Sequence, residues 1–190
     1  MLFVLDVFDR DLFVLINQQW AAPALDPMMI FLSSKWAFMP LYAAFIGLFW
    51  RKFGVKCWIP ILLTIASFGL ADSISSKICK PMFARVRPAW ETSLNPRLPD
   101  GPPGSRFGFV SSHAANAFAV FSTAMTLLGL GRRWRLGLMY LASAIAYSRV
   151  YLGVHYVGDV FFGALLGLGI SWCLIWLFRQ QVLPRGMMNK

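Results

Sequence analysis

Charge is scarce in this chain. Charged residues fill 14% of 190 positions, where a soluble globular domain carries about 25%. Hydrophobic residues make up 58% and the mean hydropathy is +0.60. The deficit excludes an ordinary soluble domain and points to the membrane. Acidic residues are the scarcer sign, with 8 Asp+Glu against 18 Lys+Arg and a net charge of +10. Such an excess often marks a nucleic-acid binder. Here much of it lies in short stretches between apolar segments, where it orients a membrane protein, so no nucleic-acid partner is expected. Cysteine is nearly absent: Cys57, Cys79 and Cys173 are odd in number and form no CxxC or Cys/His cluster. That argues against a disulfide framework or a zinc site and predicts buried free thiols. A cleavable signal is not expected either. Asp6, Asp9, Arg10 and Asp11 interrupt the apolar start, and no basic residue precedes it.

What is present is length of apolar chain. Five segments, about 27–50, 57–79, 112–130, 135–150 and 157–178, approach or reach the roughly 20 helical residues that cross a bilayer. They read as helices because a spanning backbone must satisfy its own hydrogen bonds. The expected fold is all-α: a polytopic membrane bundle of about five transmembrane helices plus an N-terminal interfacial helix. One membrane domain covers 1–190, with the interfacial segment over 1–25 and an active-site loop over 80–111. Lys35 and Trp36, inside the first segment, read as an interface anchor with Lys35 snorkelling outward. Five spans put Arg51, Lys52, Lys56, Arg132, Arg133, Arg135, Arg179, Arg185 and Lys190 on one face without an acid. By the positive-inside rule that face is cytoplasmic. The loop 80–111 and the short loop 149–156 then share the opposite side, periplasmic or extracellular, as in a bacterial inner-membrane protein.

Three stretches on that side carry chemistry. In Ser148-Arg149-Val150-Tyr151-Leu152-Gly153-Val154-His155-Tyr156-Val157-Gly158-Asp159, His155 and Asp159 are four apart, which places them on one face at a helix start. A carboxylate there fixes one ring nitrogen and leaves the other as a nucleophile. A buried pair that merely satisfies itself is the alternative. In Val110-Ser111-Ser112-His113, the hydroxyl residues are first of all helix caps. An exposed helix N-terminus is also an anion site, and His113 there can donate a proton. In Lys80-Pro81-Met82-Phe83-Ala84-Arg85-Val86-Arg87-Pro88, Pro81 is expected to end or kink the second span. Lys80 and Arg87 then face one pocket if 81–87 is helical. The alternative is a basic rim at the headgroups, the reading given to Arg85 and Lys77. Asp72, inside the second span, reads as a structural partner facing the bundle interior. Three fixed cations, amide and hydroxyl donors, a held His and a free His suit phosphoryl transfer, whose charge must be met by preplaced donors. No acidic metal cluster is visible in the sequence, so neither metal nor cofactor is expected.

These residues resemble the type 2 phosphatidic acid phosphatase family, a superfamily shared with vanadium haloperoxidases. Its signature is K-x6-RP, then PSGH, then SR-x5-H-x3-D. Lys80 through Arg87-Pro88 matches the first, and Ser148-Arg149 through His155 and Asp159 the third. Val110-Ser111-Ser112-His113 keeps Ser and His of the second, with Val for Pro and Ser for Gly. The resemblance covers about 80–159. It implies that His155 attacks phosphorus to form a phosphohistidine, that Asp159 orients it, and that His113 protonates the leaving group. Lys80, Arg87, Arg149, Ser111 and Ser112 would hold the phosphate oxygens, with an altered donor set at Ser112. The expected substrate is a membrane lipid in the bilayer: phosphatidic acid, phosphatidylglycerol phosphate, undecaprenyl diphosphate or a lipid A type. A phosphotransferase using the same His and a non-enzymatic scaffold or transporter are the alternatives, with a haloperoxidase ranked below them. A neutral His155 and a protonated His113 predict a bell-shaped pH profile.

Overall fold

The computed structural model describes residues 2–182. Arg185 and Lys190 of the expected basic tail lie outside the described residues. Helix dominates, and the β-type pairing among the described residues is one isolated antiparallel bridge between Val86 and Phe107. The chain opens with α1 (Leu2–Val14), which runs into a π-helical turn at Leu15–Gln19. Then come α2 (Asp26–Ser33), α3 (Met39–Phe53) and α4 (Trp58–Ser73). A π-helical turn, Ile74–Cys79, carries α4 into the short α5 (Lys80–Phe83). Beyond a long loop lie α6 (Ser112–Leu128), α7 (Arg132–Tyr151) and α8 (Val157–Val182).

Two helical runs, Met39–Phe83 and Val157–Gln180, are long and apolar enough to cross a membrane by length and composition. The first folds back on itself. Phe45 and Phe49 of α3 line one apolar groove together with Ile61, Ile65 and Phe68 of α4. Ile46, Leu62, Ile65, Phe161, Leu165 and Trp172 stay exposed around the bundle, an apolar surface suited to lipid rather than water.

Several boundaries differ from the sequence reading. The segment 27–50 is not one helix: α2 ends at Ser33 and α3 begins at Met39. Pro40 suits the first turn of a new helix, and Ser34 Oγ accepts from Trp36 N at 3.3 Å within the break. The second span neither ends nor leaves helical geometry at Lys80, whose φ and ψ are −61° and −48°. The wider π-helical turn just before it makes room for the Pro81 ring, which would otherwise crowd the carbonyl four residues back. The helix stops at Phe83, and Ala84 turns left-handed with φ 46°. The cysteines are free but not buried, and Cys173 is exposed on α8. In α1 and its extension, the polar residues that break the apolar run do not all face water: Asp9 and Asn17 are buried. Asn17 Nδ2 donates to Tyr151 O at 2.7 Å and Arg97 O at 3.0 Å, and its Oδ1 accepts from Arg97 N at 2.9 Å. The N-terminal segment is thereby tied to the long loop.

Helix α6 forms the middle of the bundle, with Ala114, Ala115, Ala119, Phe121 and Ala124 fully buried. It packs against α8 through small residues, which let two backbones approach closely. A Cβ on Gly163 would lie 2.6 Å from Ser111 O, and one on Gly167 would strike Ala115 O and lie 2.8 Å from Ala119 N. Thr123 Oγ1 donates to Ser171 Oγ across the same seam at 3.0 Å. At one end of the bundle Lys52 Nζ caps the last carbonyls of α6, Leu127 O at 3.0 Å and Leu128 O at 2.6 Å. Arg51, Lys56, Arg132 and Arg133 gather at this end with the helix termini that bear them. The polar residues of the long loop and the two His residues lie at the other end.

Gly167→Leu forces α6 and α8 apart, and overpacking of this kind costs about 1–3 kcal/mol. The apparent Tm in detergent should fall by roughly 3–10 °C. Gly169→Leu, whose added Cβ meets nothing within 4 Å, should melt near the wild type.

Candidate active site

The turn from α7 to α8 is built by the end of α7. Leu152 N donates to Ser148 O at 2.9 Å, and Gly153 N to Val150 O at 3.0 Å. Val154 N and His155 N both return to Arg149 O, at 3.0 and 3.2 Å. Gly153 adopts φ +77°, and a Cβ there would lie 2.5 Å from Arg97 O, so both conformation and space require glycine. The turn delivers His155 just ahead of α8. Asp159, in the first turn of that helix, reaches back. Its Oδ2 accepts from Tyr156 N at 3.1 Å, the reciprocal half of a capping box. The same oxygen lies 3.2 Å from His155 Nδ1. His155 is 2% exposed and Asp159 is fully buried.

With Nδ1 committed to Asp159, Nε2 is the ring nitrogen left for a ligand. Burial pushes the pKa of His155 down from its ordinary 6.5 to about 4, against the opposing pull of Asp159. Arg87 and Arg149 add to the lowering. The imidazole is therefore neutral throughout the physiological range.

Cations and hydroxyls converge on the same place. Lys80 Nζ donates to Ser112 Oγ at 2.8 Å, and Ser75 Oγ donates to that oxygen at 2.9 Å. Ser76 Oγ lies 3.2 Å away. Arg149 Nη1 bonds Ser33 of α2, while its Nε is buried without a partner among the described residues. Ser111 N donates to Asp159 O at 2.9 Å. Ser111 Oγ is buried without a partner among the described residues and does not cap α6, although its sequence position suits a cap. His113 lines a cavity of about 370 Å³ with Arg149, Ser33, Lys35, Trp36 and Asp100. His113 lies within electrostatic reach of Lys80, Arg87, Arg149 and His155, His155 within that of Arg87 and Arg149, and Lys80 within that of Arg87, Arg149 and Asp159. The fold thus brings together His155, His113, Asp159, Lys80, Arg87, Arg149, Ser111 and Ser112.

Two residues reach the site differently from the sequence reading. Arg87 is not two helical turns beyond Lys80, because the helix ends at Phe83. Residues 85–87 instead run extended beside 106–108: Arg87 N donates to Arg106 O at 3.0 Å and Gly108 N to Arg85 O at 2.9 Å. Arg87 is buried and steered by its own loop, with Nε on Phe107 O at 3.0 Å and Nη2 on Ser105 Oγ at 2.9 Å. Arg85 is no headgroup rim. Its Nη1 donates to Asp159 Oδ1 at 3.0 Å and to Asp9 Oδ2 at 2.8 Å. Asp72 accepts from Asn116 Nδ2 at 3.1 Å, a structural pairing inside the bundle.

Gly108 also escaped notice in the sequence. A Cβ there would meet Arg87 Cγ at 2.9 Å, Asp159 Oδ2 at 3.1 Å and His155 Nδ1 at 3.3 Å. The loop backbone itself packs on the His–Asp pair, which no motif spacing reveals.

A helical bundle with an apolar outer surface between two polar ends defines the class: an α-helical integral membrane protein. The sequence profile of the PAP2 superfamily matches residues 56–183, and the chain belongs to that superfamily. It is 30% identical to the lipid A 4'-phosphatase of Bacteroides thetaiotaomicron over 175 residues, 86% of this chain and 74% of that protein. It is 32% identical to the undecaprenyl-diphosphatase of Sulfolobus acidocaldarius over 171 residues, 86% of this chain and 75% of that one. Its fold is similar to the crystal structure of a transmembrane PAP2-type phosphatidylglycerolphosphate phosphatase from Bacillus subtilis. That likeness has a TM-score of 0.74 at 22% identity and covers 96% of this chain and 89% of that chain.

Gly108→Ala should place a methyl group against the His–Asp pair while leaving the bundle folded. Turnover should fall by about 10²-fold, the scale of a misplacement near 1 Å at a reacting group. Phosphate-release kinetics beside a thermal melt separate this from unfolding.

Proposed function

We propose that this protein is a membrane lipid phosphatase that works through a phosphohistidine on His155. The observation that carries the reading is the convergence of Lys80, Arg87 and Arg149 around a neutral, buried His155 whose Nδ1 is held by Asp159. The buried, unpartnered Ser111 Oγ and Arg149 Nε suit a ligand rich in acceptor oxygens.

The chemistry follows from the positions. The three cations and the α6 N-terminus neutralise the phosphate and the charge that spreads over its equatorial oxygens. Asp159 accepts from Nδ1–H, so the lone pair of Nε2 attacks phosphorus. The P–O bond to the lipid breaks as the P–N bond forms. The leaving oxygen takes its proton from His113. Neutral His113 then accepts a proton from the water that attacks the phosphohistidine, releasing inorganic phosphate and restoring His155. Lys80 is held ready by Ser112, the position that departs from the family pattern. The extra hydroxyl adds an acceptor for Lys80 rather than displacing it, which supports an active enzyme. The substrate is a lipid phosphate mono- or diphosphate ester, whose tails stay in the bilayer. The basic end of the bundle supports a cytoplasmic location for that end, with the active site on the periplasmic or extracellular side of an inner membrane.

Purified protein in detergent with EDTA should release phosphate from one or more of phosphatidic acid, phosphatidylglycerol phosphate, undecaprenyl diphosphate and a lipid A phosphate. His155→Ala should abolish the release. No free phosphate, but a phosphorylated product once an acceptor is added, would transfer the reading to a phosphotransferase. The acid limb of kcat/KM should lie near pH 4, well below the ordinary His value, because His155 stays neutral until then. A limb at pH 6 to 7 would contradict the buried, neutral nucleophile. His113→Ala should lose about 10²–10⁴-fold on a lipid ester. It should lose far less on an aryl phosphate, whose leaving group needs no proton.

A further inference from the structure

Helix α1 lies outside the residues that match the superfamily profile, 56–183, yet it binds the groups that hold the His–Asp pair. Its contact is Asp9, only 8% exposed. Asp9 Oδ1 accepts from Gly158 N at 2.8 Å, in the first turn of α8. Asp9 Oδ2 accepts from Arg85 Nη1 at 2.8 Å. The same Nη1 donates to Asp159 Oδ1 at 3.0 Å. A Cβ on Gly158 would lie 2.7 Å from Asp9 Oδ2, so α1 meets the start of α8 at a position with no room for a side chain. Arg85 Nη2 also donates to Asp6 Oδ1 at 3.2 Å, and its guanidinium lies 4.2 Å over the Tyr156 ring.

We propose that Asp9 is a positioning residue for phosphoryl transfer, acting through Arg85 and the Gly158 amide to fix how the Asp159 carboxylate faces His155. This rests on the phosphohistidine reading. The geometry gives the reason. Asp159 Oδ2 serves His155 Nδ1 and Tyr156 N, so Oδ1 needs its own donor, and Arg85 is that donor. Asp9 shares the same nitrogen of Arg85. It thereby keeps the guanidinium from closing on Asp159 alone, which would draw negative charge away from His155 just as phosphorylation makes the ring cationic. Its second oxygen pins the backbone from which Asp159 projects.

The charged and titratable groups around the pair come from every neighbouring element. They are Asp6, Asp9 and Arg10 from α1, Lys80 from α5, Arg85 and Arg87 from the loop, His113 from α6, Arg149 from α7, His155 itself, and Tyr156 with Glu91. Within this set, Asp9→Asn and Arg85→Gln change the charge on Asp159 in opposite directions. Asp9→Asn leaves Arg85 less compensated, so Asp159 supports a cationic His155 less and the acid limb moves down. Arg85→Gln removes the competing cation, so the limb moves up.

The test uses the full chain in detergent with the best substrate of the lipid panel, measuring kcat, KM, the kcat/KM pH profile and the melting curve. Asp9→Asn, which keeps an acceptor for Gly158 N, should lower kcat about tenfold with KM within about twofold. Arg85→Gln should move the acid limb up by about one pH unit, and Asp9→Asn should move it down. Arg85→Lys should restore the limb toward the wild type. If both variants melt early but keep wild-type kcat per folded molecule and an unmoved limb, α1 is only a structural pin and the proposal fails. A wild type whose phosphate release survives His155→Ala overturns the reading beneath it instead.

Discussion

A carboxylate buried where four stretches of chain meet must be satisfied on every side, and the histidine-bearing end of this bundle is arranged around Asp159. Its Oδ2 faces His155 Nδ1 and the Tyr156 amide, its Oδ1 takes Arg85, and its backbone carbonyl accepts from Ser111 N. Those bonds fasten the α7–α8 turn, the segment after α5, the start of α6 and the first turn of α8 to one point. An unpaired buried charge costs several kcal/mol, so each of these stretches is held in register with the others. The arrangement that orients the His155 ring is therefore also the one that closes this end of the fold.

That precision depends on packing deeper in the bundle. The site sits on helix ends, and a helix end is only as well placed as the seam below it. The α6–α8 seam is made of Gly163 and Gly167 against Ala115 and Ala119, with Thr123 and Ser171 hydrogen-bonded across it. In lipid, association gains little from apolar burial, so close backbone approach and buried hydrogen bonds carry it. The small residues of α6 and the catalytic geometry are two aspects of one constraint.

The helices and most of the site could be read from the sequence, for different reasons. Apolar runs mark helices because lipid leaves no other partner for the backbone. Lys80, Arg87, His113, Arg149, His155 and Asp159 stood out because their spacing carries a family pattern. What escaped depends on contacts that spacing does not encode. Arg85 resembled a surface cation because its partner Asp9 lies 76 positions away. Asp9 and Asn17 are polar breaks in an apolar stretch, and nothing in their spacing shows that both are buried against the long loop. Gly108 carries no motif signal, and only the packing places it on His155 and Asp159. Pro81 was expected to break a helix, and a π-helical turn absorbs it. The break between α2 and α3 falls at Ser33-Ser34-Lys35, where Lys35 was read as an anchor within one span rather than as the end of a helix.

The central claim is a covalent bond between His155 and phosphorus. The most direct measurement is to quench the enzyme in alkali during turnover, digest it and locate added phosphate by mass spectrometry. Phosphate should appear on the peptide bearing His155, at Nε2, with none in His155→Ala and more in His113→Ala supplied with an aryl phosphate. Phosphate on any other residue, or turnover by His155→Ala, would contradict it.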